Sequence, residues 1–279
     1  MARLGAAFML GGLATTTTLL LVRSRITQEL GLEAAGQFAA AWGITMTYVG
    51  FLLGAMAADY YPRLTEVIND RPTATRLMND QAQLGLAIGG PVLLLLIGLA
   101  PWAVTLLYSN EFAPAAGMLQ WQTVGNVFKL ASWPLSFAIV ASARAKTYFL
   151  MELSFNLVFL ALLWILLPVF GLEIAALAFL AGYVVYFITV NVLAHILHGF
   201  RWQSLSLKLI ALHVTLSLGI LALAETVPKV AAVASICLAL GTGIFGLRVV
   251  LIKVGPEGRI AAKFAHIYAS IGWPIRSMP

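Results

Sequence analysis

Lys129 is the residue whose place in the chain most constrains its chemistry. It lies near the middle of an apolar stretch, residues 117–141, about 12 residues from either end. At about 1.5 Å per helical residue that is roughly 18 Å from each surface, too far for a lysine stem to carry its ammonium to water. Such a cation either lines a hydrated cavity or pairs with a buried acid. Asn126 and Gln122, three and seven residues earlier, make one stripe of that helix polar. Glu152 is the one acid well inside another apolar stretch, with Asn156 four residues on and on the same face. It reaches the surface, lines a polar path or pairs with Lys129. Arg23 ends the first apolar stretch, either as a surface anchor or as a cavity group. A buried cation among amides binds anions; it is not a reaction centre. His195 and His198 stand three apart, too few ligands for a metal, and read as a helix-end pair. The chain has no GxxxxGK[ST], HExxH or GxSxG motif and no cluster of acids. Nothing here calls for catalysis, a metal or a cofactor.

The elements that must hold these groups are membrane helices. Of 279 residues 61% are hydrophobic and only 10% charged, whereas a soluble domain is about half apolar and a quarter charged. The single cysteine, Cys237, excludes a disulfide framework and a cysteine-built metal site. Crossing hydrocarbon takes roughly 20 apolar residues, and eight stretches qualify: 5–22, 38–58, 84–107, 117–141, 148–169, 174–198, 209–226 and 231–252. The first is expected to be retained rather than cleaved, since no small-x-small site follows and Arg23 and Arg25 come straight after it.

With eight spans, the N-terminus, the connections 59–83, 142–147 and 199–208, and the tail share one side. Twelve Lys and Arg fall there, among them Arg3, Arg71, Arg144, Arg201, Lys253 and Arg276; only Arg23, Arg25 and Lys229 fall on the other. That bias predicts cytoplasmic termini. It also explains the net charge of +6 without nucleic acid. The connections are too short for a catalytic domain, and the longest carries a helix start at Arg71-Pro72-Thr73. Gly50 with Gly54, and Gly85 with Gly89, are small-xxx-small pairs that let helices approach. Arg248, near the end of the last span, reads as structural. From Gly258 the tail suits a helix lying on the inner leaflet, with Ile260, Phe264, Ile267, Tyr268 and Ile271 on one face, Arg259, Lys263 and His266 on another, and Trp273 as an anchor.

Several segments carry a family resemblance. Residues 106–133, LLYSNEFAPAAGMLQWQTVGNVFKLASW, resemble the segment joining the third and fourth helices of the second lobe in bacterial O-antigen flippases, members of the multidrug/oligosaccharidyl-lipid/polysaccharide exporter superfamily. Residues 57–66, AADYYPRLTE, are similar to the end of that lobe's second helix. Residues 21–37, with Arg23, Gly31 and Ala35-Gly36-Gln37, resemble its first helix–loop–helix, and residues 149–155 continue the match through Glu152. The resemblance covers roughly residues 4–200 and departs at Asn126, where the family pattern has an acid after Gly125.

What the resemblance implies is an all-α polytopic membrane protein of about eight transmembrane helices. It divides into a six-helix lobe at 1–200, two added helices at 201–254 and an interfacial tail at 255–279. The family's first lobe has no counterpart here, so the chain is expected to be a fragment, a split product, or a half that works with a separate N-terminal lobe or as a homodimer. The implied substrate is an undecaprenyl-pyrophosphate-linked oligosaccharide, moved from the cytoplasmic to the periplasmic leaflet of the inner membrane. Lys129 would meet the anionic head group first, and Arg23 next, because it falls on the family's arginine position. Glu152 and Asn126 would line the polar path, while the prenyl tail stays in membrane lipid. Alternatives are a cation-coupled drug exporter of the same superfamily, which should show more buried carboxylates; a polysaccharide polymerase, which should have longer periplasmic loops; and a non-transporting scaffold.

Overall fold

Gly31 divides the longest helix of the chain, α1 (Ala2–Val67), because its backbone leaves the helical region at φ +89°, a conformation that glycine adopts without steric penalty. The structure, a computed structural model, describes residues 2–255, 259–270 and 272–275, with side chains from Gly5 onward except at Arg259 and Ile260. Readings that rest on Arg3, Arg259, Ile260, Ile271 and Arg276 lie outside those side chains. The remaining helices are α2 (Arg71–Leu107), α3 (Ala115–Ala141), α4 (Ala145–Phe170), α5 (Ile174–His198), α6 (Ser204–Thr226), α7 (Pro228–Val254) and α8 (Arg259–Ser270). Among the described residues every regular element is helical, and six helical stretches are long and apolar enough to cross a membrane. Two of those are of double length: α1, broken at Gly31, and Ala145–His198, which is α4 and α5 joined through the 3-10 turn Gly171–Glu173. Each of the eight apolar stretches read from the sequence falls in its own helical arm.

Side-chain pairings fix the directions of the arms. The first arm of α1 (residues 2–30) runs parallel to α4, since Phe8 meets Tyr148, Gly11 meets Glu152 and Thr15 meets Asn156. The second arm (32–67) runs parallel to α3, through Thr45–Gln122 and Tyr60–Pro134. In turn α3 is parallel to α5, through Gly125–Phe179 and Phe128–Phe187. Helices α4 and α5 are antiparallel, through Glu152–Tyr186 and Phe159–Phe179. The two arms of α1 therefore point in opposite directions, and Gly31 is where the chain reverses. The connections near residues 68–71, 141–144 and 197–198 converge at one end, as the alternation of spans requires.

One expectation changes. The stretch 59–83, read as a connection, is almost entirely helix: α1 runs to Val67 and α2 begins at Arg71, with a proline in its first turn as expected. Hydropathy marks where a helix leaves lipid, not where its hydrogen bonds stop. The i,i+4 pair Asp59–Arg63 and the Thr65 hydroxyl bonded to Tyr61 O suit a polar helical turn.

Helix α2 is the hub and packs against α1, α3, α6 and α7. Its prolines leave carbonyls unbonded one turn back, and neighbours cover them. Pro101 frees Ile97 O, which accepts from Gln120 Nε2 at 3.0 Å. Pro91 frees Ala87 O, and Gly246 of α7 sits directly against it. On α3, Pro134 frees Leu130 O, and Gly85 lies beside it. Gly90 and Gly98 likewise receive His213 of α6 and Ser235 of α7. Of the two small-residue pairs, Gly85 and Gly89 pack against neighbouring helices, while Gly50 and Gly54 face open space. At the same end as Arg71, Asn79 and Gln83 of α2 bind Gln203 and Ser206 and so clamp the start of α6. The tail folds back on α7: Tyr268 donates to Ile244 O, and Trp273 stacks over Arg248 with 4.9 Å from guanidinium to ring. Arg248 thus has the structural part its position suggested.

A methyl group at Gly246 would overlap the Ala87 backbone, whereas Gly241, on the same helix, faces open space. Gly246→Val is expected to lower stability by about 1–3 kcal/mol, in line with overpacking. Gly241→Val should change it by less than about 1 kcal/mol, and thermal unfolding in detergent checks both.

Candidate functional site

On α3 the positions 129, 132, 133, 136, 137 and 140 recur at helical spacing and turn one stripe toward α1, α4 and α5. That stripe carries Lys129, Ser132, Trp133, Ser136, Phe137 and Val140, and it forms one wall of a cavity of about 350 Å³. The opposite walls are aromatic and polar: Phe8, Thr15 and Trp42 from the two arms of α1, Tyr148, Glu152 and Phe155 from α4, and Tyr183 and Tyr186 from α5. Phe8 is exposed at the rim. Trp42 stacks on Phe159 and meets Phe179 edge-on, while Phe155 packs on Tyr183, so the aromatic wall is held rigidly from behind.

The Lys129 ammonium has soft partners. Nζ is 3.4 Å from Met46 Sδ and 5.3 Å from the centre of the Tyr183 ring. A cation–π contact of this kind contributes roughly 0.5–2 kcal/mol, and a thioether is a weak acceptor. Among the described residues Lys129 forms no ion pair. Its charge is therefore uncompensated by an acid in contact, and of its three N–H donors only one meets a protein acceptor. An anionic oxygen entering the cavity would find donors that no other group uses.

Glu152 lines the same cavity without touching Lys129. Its Oε1 accepts from Tyr186 O–H at 2.9 Å, and its backbone carbonyl accepts from Asn156 Nδ2 at 2.9 Å. Asn156 also donates to Thr15 Oγ1 at 3.2 Å and keeps a buried Oδ1 without a partner. The carboxylate is thus positioned by a tyrosine, while Asn156 ties this turn of α4 to the first arm of α1. Of the two alternatives for Lys129, cavity or buried ion pair, the structure places it at the cavity.

The other two candidates lie elsewhere. Asn126 is fully buried one turn before Lys129, outside the cavity lining, with both amide atoms unpartnered. Gln122, on the same stripe, accepts from Thr45 Oγ1 at 2.9 Å and joins α3 to α1. The polar stripe inferred from Gln122, Asn126 and Lys129 is therefore split: its upper part is a helix contact, and the cavity continues the other way, toward Ser132 and Ser136. Arg23 is exposed on the first arm of α1 and does not line the cavity. Val22 and Ile26 take the buried positions on either side, and a residue next to a buried one is rotated about 100° away. Its neighbour Arg25 pairs with Glu29 at 2.6 Å and stacks on Trp164. His195 and His198 have separate partners, Phe200 O and Ser142 Oγ, each at 3.0 Å.

Sequence reasoning missed the aromatic wall and Tyr186. Tyr183 and Tyr186 stand three apart on α5, which is a visible signal, but nothing in the spacing says that they face α3 and α4 rather than lipid.

Fold and cavity together define a polytopic, all-helical membrane protein with an interior chamber that carries Lys129 on one wall and Glu152 among aromatic residues on the others. Over 185 residues, 64% of its length, the chain is 26% identical to the Lipid III flippase of Escherichia coli (strain K12) and, to the same extent, to that of Shigella flexneri. The matched region is 44% of each relative, so the chain spans less than half the length of the curated relatives it matches. No family model matches the chain. No solved structure matches it.

The cavity makes a test of water access direct, because Cys237 is the only cysteine. In a Cys237→Ser background, Lys129→Cys is expected to react with a small charged methanethiosulfonate reagent at least ten times faster than Asn126→Cys, as scored by mass shift. Equal rates would refute the assignment of Lys129 to an open chamber.

Proposed function

We propose that this chain is one lobe of a transporter that moves a lipid-linked oligosaccharide across the bacterial inner membrane. The observation that carries this reading is the Lys129 ammonium, in no ion pair among the described residues, at the wall of an interior chamber. A diphosphate is the anionic part of an undecaprenyl-pyrophosphate-linked glycan and would take the free donors of Lys129. Aromatic faces such as Trp42, Trp133 and Tyr183 stack on sugar rings, while the prenyl chain stays in lipid. The similarity to Lipid III flippases supports movement of a lipid-borne group as the activity. The O-antigen unit, or a related glycan, is our reading of the substrate.

One lobe gives only one wall of such a path. In the proposed transporter a second lobe, either a separate N-terminal half or a second copy of this chain, closes the chamber, and access alternates as the two lobes rock. The exposed Arg23 side chain then belongs to the surface that faces the partner lobe or the outer mouth. The concentration of basic residues at the end holding Arg71 and Arg144 supports a cytoplasmic location for that end and for both termini. The helices α6 and α7, docked on the far side of α2 from the chamber, support the lobe, and α8 lies at the inner leaflet. The protein's action is transport rather than catalysis.

Glu152 favours a second reading. A carboxylate held by Tyr186 among aromatic rings also suits an organic cation, as in a cation-coupled drug exporter of the same superfamily. The two readings differ in which residue matters. Expressed with a first lobe in a strain lacking its own O-antigen flippase, Lys129→Ala is expected to cut surface polysaccharide below about a tenth of the unmutated level with membrane insertion unchanged. Unaltered polysaccharide in that variant would defeat the glycan reading. Loss of drug resistance in Glu152→Gln, with polysaccharide intact, would establish the exporter.

A further inference from the structure

A second, wholly different cavity lies at the end where three connections meet. It measures about 510 Å³ and is lined by Ile68, Asn69 and Arg71 between α1 and α2, 141–144 between α3 and α4, and Leu197 and His198 at the end of α5. Its charged groups are Arg71 and Arg144, each exposed, with His198 almost fully buried at the base. Among the described residues neither arginine takes part in an ion pair, and no carboxylate lines the cavity. Asp70, next to Arg71 in the chain, is outside the lining, and its carboxylate accepts from the Thr73 hydroxyl at 2.6 Å.

The backbone around this cavity also suits an anion. Several C-terminal carbonyls of α3 and α5, which would repel one, are occupied: Ser142, Ala143 and Arg144 N–H groups return to Ala138, Val140 and Ile139, and Gly199 and Phe200 return to His195 and Ala194. Ala143 holds φ +54°, a rare state for a residue with a side chain, and the turn it makes sets Ser142 and Arg144 on the same cavity wall. Ser142 Oγ is 3.0 Å from His198 Nε2 and donates its proton to Ala138 O at 2.7 Å, so the base of the cavity is a hydroxyl–imidazole pair bonded within the protein, and the donors offered to a ligand are those of the two arginines. The N-terminus of α2 opens on the cavity at Arg71 and adds its positive end.

We propose that this pocket is a phosphate-binding site, with the guanidinium groups of Arg71 and Arg144 as its two clamps and Ser142 with His198 as its floor. Two guanidiniums from separate connections, each with a planar fork of donors, match the several oxygens of a phosphate or diphosphate better than the two of a carboxylate. The site is distinct from the Lys129 chamber but adjacent to it: Val140 lines the chamber and Ala141 lines the pocket. Along α3, Ser142 is thirteen residues beyond Lys129, roughly 20 Å at the helical rise. A phosphate held here would stand at the basic end of the same helix that presents Lys129. The inference rests on the geometry of this pocket alone and holds whether or not the chamber carries a glycan.

Phosphate can come from a lipid head group or from solution, and the test separates the two. The full chain would be placed in phosphatidylcholine nanodiscs, with inorganic pyrophosphate titrated calorimetrically. In parallel, nanodiscs containing phosphatidic acid would be scored for retained lipid by native mass spectrometry. At least one probe is expected to bind, roughly tenfold more weakly for each arginine lost in Arg71→Gln and Arg144→Gln, as for charge-assisted hydrogen bonds. Binding of free pyrophosphate in neutral nanodiscs identifies a soluble anion as the ligand. Retention of phosphatidic acid that pyrophosphate does not displace identifies a head group. Both arginines are exposed, so the double variant should keep the unfolding temperature of the parent. Arg76→Gln with Arg201→Gln, exposed arginines outside the pocket lining, should leave binding unchanged. Equal losses in that control pair, or unmutated binding of both probes by the double variant, or no binding of either probe by the parent, would overturn the proposal. In a Lys129→Ala background, which removes the diphosphate partner proposed for the chamber, the losses caused by Arg71→Gln and Arg144→Gln should persist, so a failure of the transport reading and a failure of this one are separable.

Discussion

Within hydrocarbon a backbone carbonyl without a hydrogen bond has no water to turn to, and each one left open costs several kcal/mol. This chain nevertheless places prolines inside four of the helices that could span a membrane. At the centre of the protein one of these carbonyls is hydrogen-bonded from another helix, Ile97 O by Gln120, and two are covered by close-packed glycines, Ala87 O by Gly246 and Leu130 O by Gly85. These contacts join α2 to α3 and α7, and the helices that build the chamber hang on α3. One hydrogen bond to a freed carbonyl and the close glycine contacts over two others thus set the packing that the site inherits.

The chamber shows the same economy with charge. A lysine in mid-membrane is tolerated because Tyr183 and Met46 offer polarisable surfaces and because the chamber gives the ammonium somewhere to point. Glu152 is tolerated because Tyr186 donates to it. Neither group neutralises the other by contact. A direct ion pair would be self-contained and inert toward a ligand, whereas two separately supported charges leave a chamber able to receive an anion on one wall while the opposite wall stays anchored. Aromatic residues make up most of the remaining lining, with the hydroxyls of Thr15, Ser132 and Ser136 among them, so the space offers stacking surfaces beside a few polar groups.

Much of this was legible in the residues. The apolar stretches, their number and alternation, the helix start at Arg71-Pro72-Thr73, the position of Lys129 and Glu152 within spans and the structural part of Arg248 all follow from hydropathy and helical period, which are local properties. Asn126 and Arg23 show where such reasoning stops. Asn126 shares the stripe of Lys129 only within about 60° on the helical wheel, and the neighbour it meets there is a packed helix, not space. Arg23 sits one residue from buried Val22, and its outward turn depends on which side of α1 meets α4.

The chain's own composition determined that it lives in a membrane, as helices, with one end rich in positive charge and a cation stranded at mid-depth. Those results need only the free energy of transferring side chains and the 3.6-residue repeat, both of which act over a few turns. The tertiary structure decided that Gly31 reverses the chain and that Lys129 and Glu152 share one chamber without pairing. It also decided that Tyr183 and Tyr186 complete that chamber, and that Arg71, Arg144 and His198, far apart in the chain, surround one pocket. Lipid solvates every apolar face of a helix almost equally well, so apolarity alone cannot choose a helix's neighbours; glycine-sized gaps, freed carbonyls and buried amides make that choice, and they operate only between helices already in contact.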